Sequence, residues 1–220
     1  MPATLVLDLE TIPAMEIPPG ILAEDRPAAL CPPLAQVVAV GLLALKGGGE
    51  PEDREHALFD SWALPGKLDT PGEGALGERA LLRWVGAVLD RADRVVTFNG
   101  RAFDIPTLLH RTLVHRLVPS ATLVAAAREH RYYPDRHVDV LDLLTGHGAG
   151  ARYSLTVYAL AYGLLTPAEA ARRDSGGNVE ALVRAGETTR VVRHALEDVR
   201  LTSALYRRWA PVLERERAGA

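Results

Sequence analysis

The chain has 220 residues, 48% of them apolar but only 5% aromatic, and carries a net charge of −3. That length fits a single domain, 1–220, with a core resting on Leu, Val and Ala. No apolar run reaches the roughly 20 residues of a membrane span, the N-terminus lacks a signal-peptide pattern, and Cys31 alone cannot form an intrachain disulfide, so the expectation is a cytoplasmic protein with no membrane partner. Residues 4–9 (TLVLDL) are a short, continuous apolar run and read as a buried strand. Residues 11–33 are rich in proline and read as an extended loop. Residues 35–44 predict a second strand, KGGGEPED a turn, residues 55–62 a third strand, and LPGKLDTPGEG a loop. Apolar residues at helical spacing from Leu76 to Leu89 predict a helix, and residues 94–98 a fourth strand.

The second half reads as mostly helical. Ile105, Leu108, Leu109 and Leu113 share one face of a helix, with Pro106 in the first turn where proline is tolerated. A helix is compatible with 120–130, and HVDVLDLLTG reads as a short helix ended by Gly146. Ser154 is placed to cap a helix through Tyr162, and Thr166 with Glu169 has the layout of a capping box. DSGGN reads as a loop, and one long helix should run from Thr188 to about Val212. Three early strands suggest an antiparallel meander, and a strand reached through a helix crossover suggests a parallel one. The fold class expected is α/β, a mixed sheet with helices on both faces.

Three motifs carry the chemistry. Asp8 and Glu10 alternate on a strand, so they share a face if the strand continues through Glu10. Asp104 follows the turn signal Asn99-Gly100. His194 and Asp198 lie four apart on the long helix, hence on one face. Each alone has a plain reading: a solvated strand end, a helix N-cap, a solvent-facing pair. Global charge does not decide, because two bound divalent cations would turn −3 into about +1. Lys occurs only at 46 and 67, and the arginine bias reads first as base composition.

Together, in this order and on these elements, the motifs resemble the DEDD superfamily of 3′–5′ exonucleases, also called DnaQ-like, with a ribonuclease-H-like fold. The nearest resemblance is to predicted exonucleases related to the proofreading domain of family B DNA polymerases. Asp8-Leu9-Glu10-Thr11-Ile12 matches the first motif of that group, and Asn99, Gly100, Phe103, Asp104 and Pro106 match the second. His137-Val138-Asp139-Val140 resembles a further segment, and His194, Asp198, Val199 and Thr202 match the third motif, over residues 3 to 209 in all. Two departures stand out. His194 occupies a place that usually holds Tyr, with Tyr133, Tyr153 or a second His as possible substitutes, and Gly163-Leu164-Leu165-Thr166-Pro167 lacks the Lys that the group often carries there.

The resemblance implies two Mg²⁺ or Mn²⁺ ions held by Asp8, Glu10, Asp104 and Asp198, with His194 orienting or deprotonating the attacking water. Hard carboxylate oxygens suit those ions. It also implies contacts to the terminal nucleotide from Phe103 and from Leu9 or Thr11, with Asn99 in the motif and Arg101 as a candidate phosphate contact. The expected partner is single-stranded or 3′-terminal nucleic acid, DNA ahead of RNA, with protein partners unknown. The competing readings are a non-catalytic nucleic-acid-binding or interaction module, and a phosphoesterase for very short oligonucleotides.

Overall fold

The computed structural model describes residues 3–23, 27–45, 54–59, 73–132, 134–173 and 176–219. Strands β1 (Thr4–Pro13), β2 (Ala35–Leu45), β3 (Arg54–Phe59), β4 (Arg94–Thr97) and β5 (His137–Asp139) form one sheet in the order β3-β2-β1-β4-β5. β1, β2 and β3 pair antiparallel, whereas β1 with β4 and β4 with β5 pair parallel. This is the expected mixed, ribonuclease-H-like sheet. β1 lies at its centre, which explains the continuous apolar run. Leu5, Leu7 and Leu9 point to one face and Val6 to the other.

Helices cover both faces. On the Leu7 face, α1 (Glu73–Leu89), α2 (Asp104–Val114) and α3 (Ala121–Arg128) supply Leu81, Leu82, Val85, Ile105, Leu108 and Leu123 to the core. On the Val6 face, α4 (Val140–Leu144), α5 (Leu155–Ala161) and α8 (Thr188–Gly219) bring Leu143, Leu155, Val199 and Leu205. A third cluster joins Ile12, Val38 and Ala39 to α7 (Val179–Arg184) and to Val191 of α8. Each such fully buried aliphatic side chain contributes about 1.5–3 kcal/mol. Ser120 and Ser154 cap α3 and α5, and Thr166 with Glu169 closes a capping box on α6 (Pro167–Ala170).

The differences from the sequence reading have local causes. β1 does not stop at residue 9, because its ladder with β2 continues to Pro13 opposite Ala35, past an irregularity between Glu10 and Thr11. HVDVLDLLTG is a strand and then a helix: His137–Asp139 extend the sheet beside β4, and Asp139 then caps α4 by accepting from Leu141 N–H. α7 was not expected, since its six residues are too few to show a helical period; it packs through Val179, Leu182 and Val183. α8 outruns Val212, and Leu213 beyond the helix-interior Pro211 is still buried in the core. The expected turn at 46–53, the strand end at 60–62, most of the loop at 64–74 and Tyr133 lie outside the described residues. Among the described residues no helix is long and apolar enough to cross a membrane.

Candidate active site

The even-numbered residues of β1 face α8. Asp8 and Glu10 therefore continue, with reversed polarity, the side that Val6 occupies in the core. α8 can approach because β2 offers Gly41 directly opposite Asp8. A Cβ at Gly41 would lie 2.5 Å from the carbonyl oxygen of Ala195, so only glycine admits the helix backbone this close. Ala195 is next to His194, and Asp198 follows one turn on. Gly41 thus sets how near these two side chains come to β1. His194 is buried, with Nε2 3.7 Å from Glu10 Oε1 and Nδ1 3.6 Å from Asp198 Oδ1. Both distances exceed a hydrogen bond, and Nδ1 has no partner.

β4 pairs with β1 only from Thr4 to Val6, so beyond Val6 the β1 edge opens toward the start of α2. Asp104 fills that opening: its Oδ1 accepts from Leu9 N–H at 3.1 Å, between the two acidic residues of β1. The cap reading of Asp104 is corrected here. It is the first residue of α2, Phe103 holds the cap position without a side-chain bond, and the carboxylate serves β1 instead. Asp139 fixes this arrangement from behind. It accepts from Asn99 N–H at 2.8 Å, Arg101 N–H at 2.9 Å and Leu141 N–H at 3.0 Å, tying the end of β5 to the turn before α2. Asn99 adopts φ +65°, a left-handed conformation that suits Asn in such a turn. Thr97 Oγ1 and His137 Nε2 join β4 to β5 at 2.8 Å, and burial lowers the pKa of His137 to about 3, so that ring is neutral.

Asp8, Glu10, Phe103, His194 and Asp198 line one cleft of about 550 Å³, at the carboxyl ends of the parallel strands where ligands of open α/β sheets bind. The acids in it, together with Asp104, which is not part of its lining, share an unfavourable field. Asp8 is held well above its usual pKa by burial first, then by the charges of Asp198, Glu10 and Asp104. Glu10 is raised by burial, Asp198 and Asp104. Asp104 reaches about 8 through burial and the neighbouring Asp139, against the bond from Leu9. Asp198 is raised by burial, although His194 and Arg173 pull it back. Arg173, on the segment after α6, brings a cation to this cleft: its Nη2 pairs with Asp198 Oδ1, and its charge also steadies Asp8 and Glu10.

The donor chemistry fits hard divalent cations, being acidic oxygens throughout. Mutually raised acids are what a shared cation relieves. Among the described residues, no three His, Cys, Asp or Glu side chains are grouped as a metal ion would need.

Leu9 and Thr11 also border the cleft; Leu9 packs its side chain into the opposite core, and Thr11 Oγ1 donates to Ala29 O at 2.6 Å. Asn99 and Arg101 stand apart from the cleft wall. Arg152 donates to Asn99 Oδ1, and Arg101 spends Nε on Asp142 at 2.8 Å and Nη1 on Glu129 O at 2.8 Å. Two contributors, Gly41 and Arg173, escape the sequence reading, and a third, Asp139, appears there without a role. Gly41 carried a signal, since a lone glycine within a strand marks a close backbone approach. Asp139 lies in the segment His137-Val138-Asp139-Val140, whose sequence gives no hint of its three backbone bonds. Arg173 carries no sequence signal of its own.

A ribonuclease-H-like sheet with acids from β1, α2 and α8 gathered at one strand end defines a nuclease-type scaffold. Over residues 31–215 the chain matches the family described as predicted 3′-5′ exonucleases related to the exonuclease domain of PolB, and it belongs to that family. The matched span contains Asp104, His194 and Asp198 and begins after Asp8 and Glu10. No curated protein matches the chain. Among solved structures it is similar to the family B DNA polymerase from the hyperthermophilic archaeon Pyrobaculum calidifontis, with 18% identity and a TM-score of 0.62, covering 96% of this chain and 25% of that one. It is also similar to E. coli ExoI in a zinc-ion-bound complex with ssDNA, at 13% identity and a TM-score of 0.50, covering 89% of this chain and 42% of that one. The chain thus spans under half the length of these solved chains, and the likeness is one of fold.

Proposed function

We propose that this protein is a 3′–5′ exonuclease. It hydrolyses phosphodiester bonds of nucleic acid, DNA in preference to RNA, and releases nucleoside 5′-monophosphates. The observation that carries the reading is the set of acids brought together from three separate elements: Asp8, Glu10, Asp104 and Asp198 are each raised by burial, and the charge of Asp198 raises the other three further. A fold pays this cost where cations are to be bound. These four residues would hold two Mg²⁺ or Mn²⁺ ions. Bound there, the ions would polarise the phosphate and supply an activated water.

The chain's own groups do the rest. His194, between Glu10 and Asp198, orients the water and accepts its proton. Phe103, half-buried on the cleft wall, offers a ring for the terminal base. Leu9 and Thr11 border the space where that nucleotide sits. Asn99 and Arg101, engaged with Arg152, Asp139, Asp142 and Glu129, hold the start of α2 in place. The described residues act as one exonuclease domain on single-stranded or 3′-terminal nucleic acid, the class of ligand present in the ExoI complex.

The test is digestion of 5′-labelled DNA and RNA oligonucleotides with Mg²⁺, Mn²⁺ or EDTA. A descending ladder that EDTA abolishes is expected. Internal cuts at early times would make the enzyme an endonuclease. Binding without cleavage under any divalent ion would make it a non-catalytic module.

A further inference from the structure

Arg173 has more donors than partners. Its side chain is only 8% exposed, one Nη2 bond goes to Asp198, and Nε and Nη1 are buried with no hydrogen-bond partner. A buried guanidinium left this way is costly, and such a vacancy calls for an acceptor that arrives from outside. Arg173 also stands on the wall between two cavities. One is the acidic cleft. The other, of about 500 Å³, lies along α8 and is lined by Arg172, Arg193 and Arg200 as well as by Arg173 and His194. Its lining holds four arginines against two glutamates, Glu169 and Glu197, next to the acidic cleft. A planar fork facing both is suited to a bidentate phosphate contact.

We propose that Arg173 is a shared cation, which holds Asp198 in the free protein and transfers to a backbone phosphate of the nucleic acid when substrate and divalent ions enter. This rests on the exonuclease reading and adds to it a phosphate-binding residue and a built-in competitor for metal. While Arg173 sits on Asp198 it neutralises the acids and keeps Asp198 from an ion. Once the phosphate takes the guanidinium, Asp198 is released to join Asp8. The arginine-lined cavity receives the strand beyond the terminal nucleotide. Metal loading and substrate binding are thereby coupled through one side chain.

The two roles of Arg173 make predictions of opposite sign for one variant. Titration calorimetry with Mn²⁺ alone should show about tenfold tighter binding to Arg173→Ala than to the wild type, since a competing charge is gone. A fluorescein-labelled oligothymidylate in Ca²⁺, its length checked on a gel, should bind the variant about tenfold more weakly. Its salt dependence should fall by about one phosphate contact. Arg190→Ala removes the same charge from an exposed pair with Glu187 and should shift neither. Arg173→Lys keeps the charge without the fork; it should bind Mn²⁺ as the wild type does but bind oligonucleotide more weakly, and it serves if the alanine variant folds poorly. Weaker Mn²⁺ binding by Arg173→Ala, or unchanged oligonucleotide binding, would reduce Arg173 to a structural partner of Asp198 and overturn the proposal. Failure of the wild type to shorten any oligonucleotide would instead overturn the exonuclease reading, and the two binding measurements would still decide the role of Arg173.

Discussion

Glu78 and Asp8 are both acids enclosed by the same sheet, and burial pushes the pKa of each upward. They end on opposite sides of the ordinary value. Around Glu78 the effect of burial is outweighed: His115 Nε2 lies 2.7 Å from Oε2, Arg111 donates twice at 2.9 and 2.6 Å, and Val37 N–H donates at 2.9 Å, so its pKa is lowered. Around Asp8 the neighbours are Asp198, Glu10 and Asp104, and Arg173 alone opposes them, so its pKa is raised. One site is complete within the protein and joins α1, α2 and β2. The other gathers acids with little inside the protein to offset them. That contrast separates an acid that stabilises the fold from acids that burial and their neighbours disfavour, the set to which the proposed function assigns cation binding.

The largest effect should come from removing an acid at the incomplete site. Asp8→Ala should lower the exonuclease rate by about 10³-fold or more, because several kcal/mol of transition-state stabilisation goes with the ions. Its thermal midpoint without metal should rise or stay level, since a repelling charge is deleted. A rate like the wild type's, or a clear loss of stability, would erase the contrast with Glu78.

The mirror experiment is Glu78→Ala. It leaves the Arg111 guanidinium buried without its carboxylate and should cost about 3–5 kcal/mol by urea unfolding. The rate per folded molecule should hold. The pH dependence carries a sign: Glu78 has a lowered folded pKa, so its contribution is present above the unfolded value near 4.5 and is lost as pH falls through the folded value. Wild type and variant should converge in stability in acid.

A smaller effect is expected at His194. Neither nitrogen is within hydrogen-bond distance of its acidic neighbours. The low end of general-base catalysis, about 10²-fold, is therefore expected on His194→Ala. Mn²⁺ binding should be retained. His194→Tyr should recover much of the rate if the ring position, rather than the imidazole, is what counts. An unaltered rate in His194→Ala would assign water activation to the ions alone.

How much of this was legible in the sequence follows the same contrast. The acidic motifs could be read because Asp8 with Glu10, Asp104, and His194 with Asp198 sit on elements whose periods show in the chain. The Glu78 site could not. Glu78, Arg111 and His115 look like ordinary charged positions on amphipathic helices, and nothing local says that three of them meet over Val37. β5 was hidden for a related reason: three residues, His137–Asp139, are too short for an alternation, and only pairing with β4 makes them a strand. Arg173 and Asp139 act across long sequence separations, on Asp198 and on the turn before α2, and their partners emerge only when the chain is folded.

The finest test of the comparison is the slope of stability with pH at Asp104. Its folded pKa of about 8 lies above the ordinary carboxylate value near 3.8. Between those values the folded state binds the extra proton, so stability falls as pH rises, by at most about 1.4 kcal/mol per pH unit. This is the reverse of the Glu78 slope, and it covers a different window. In urea titrations without metal, the wild type should lose stability from about pH 4 to about pH 8, and Asp104→Asn should flatten that decline. Asn can still accept from Leu9 N–H, so the variant removes the charge and keeps the bond that shapes the β1 edge. Adding Mn²⁺ should flatten the wild-type curve in the same window, because an ion favours the ionised acids, and should change Asp104→Asn less. A wild-type curve that rises steadily from pH 4 to pH 8 without metal would mean that the acids near β1 are as well compensated as Glu78, and the division between the two sites would fail.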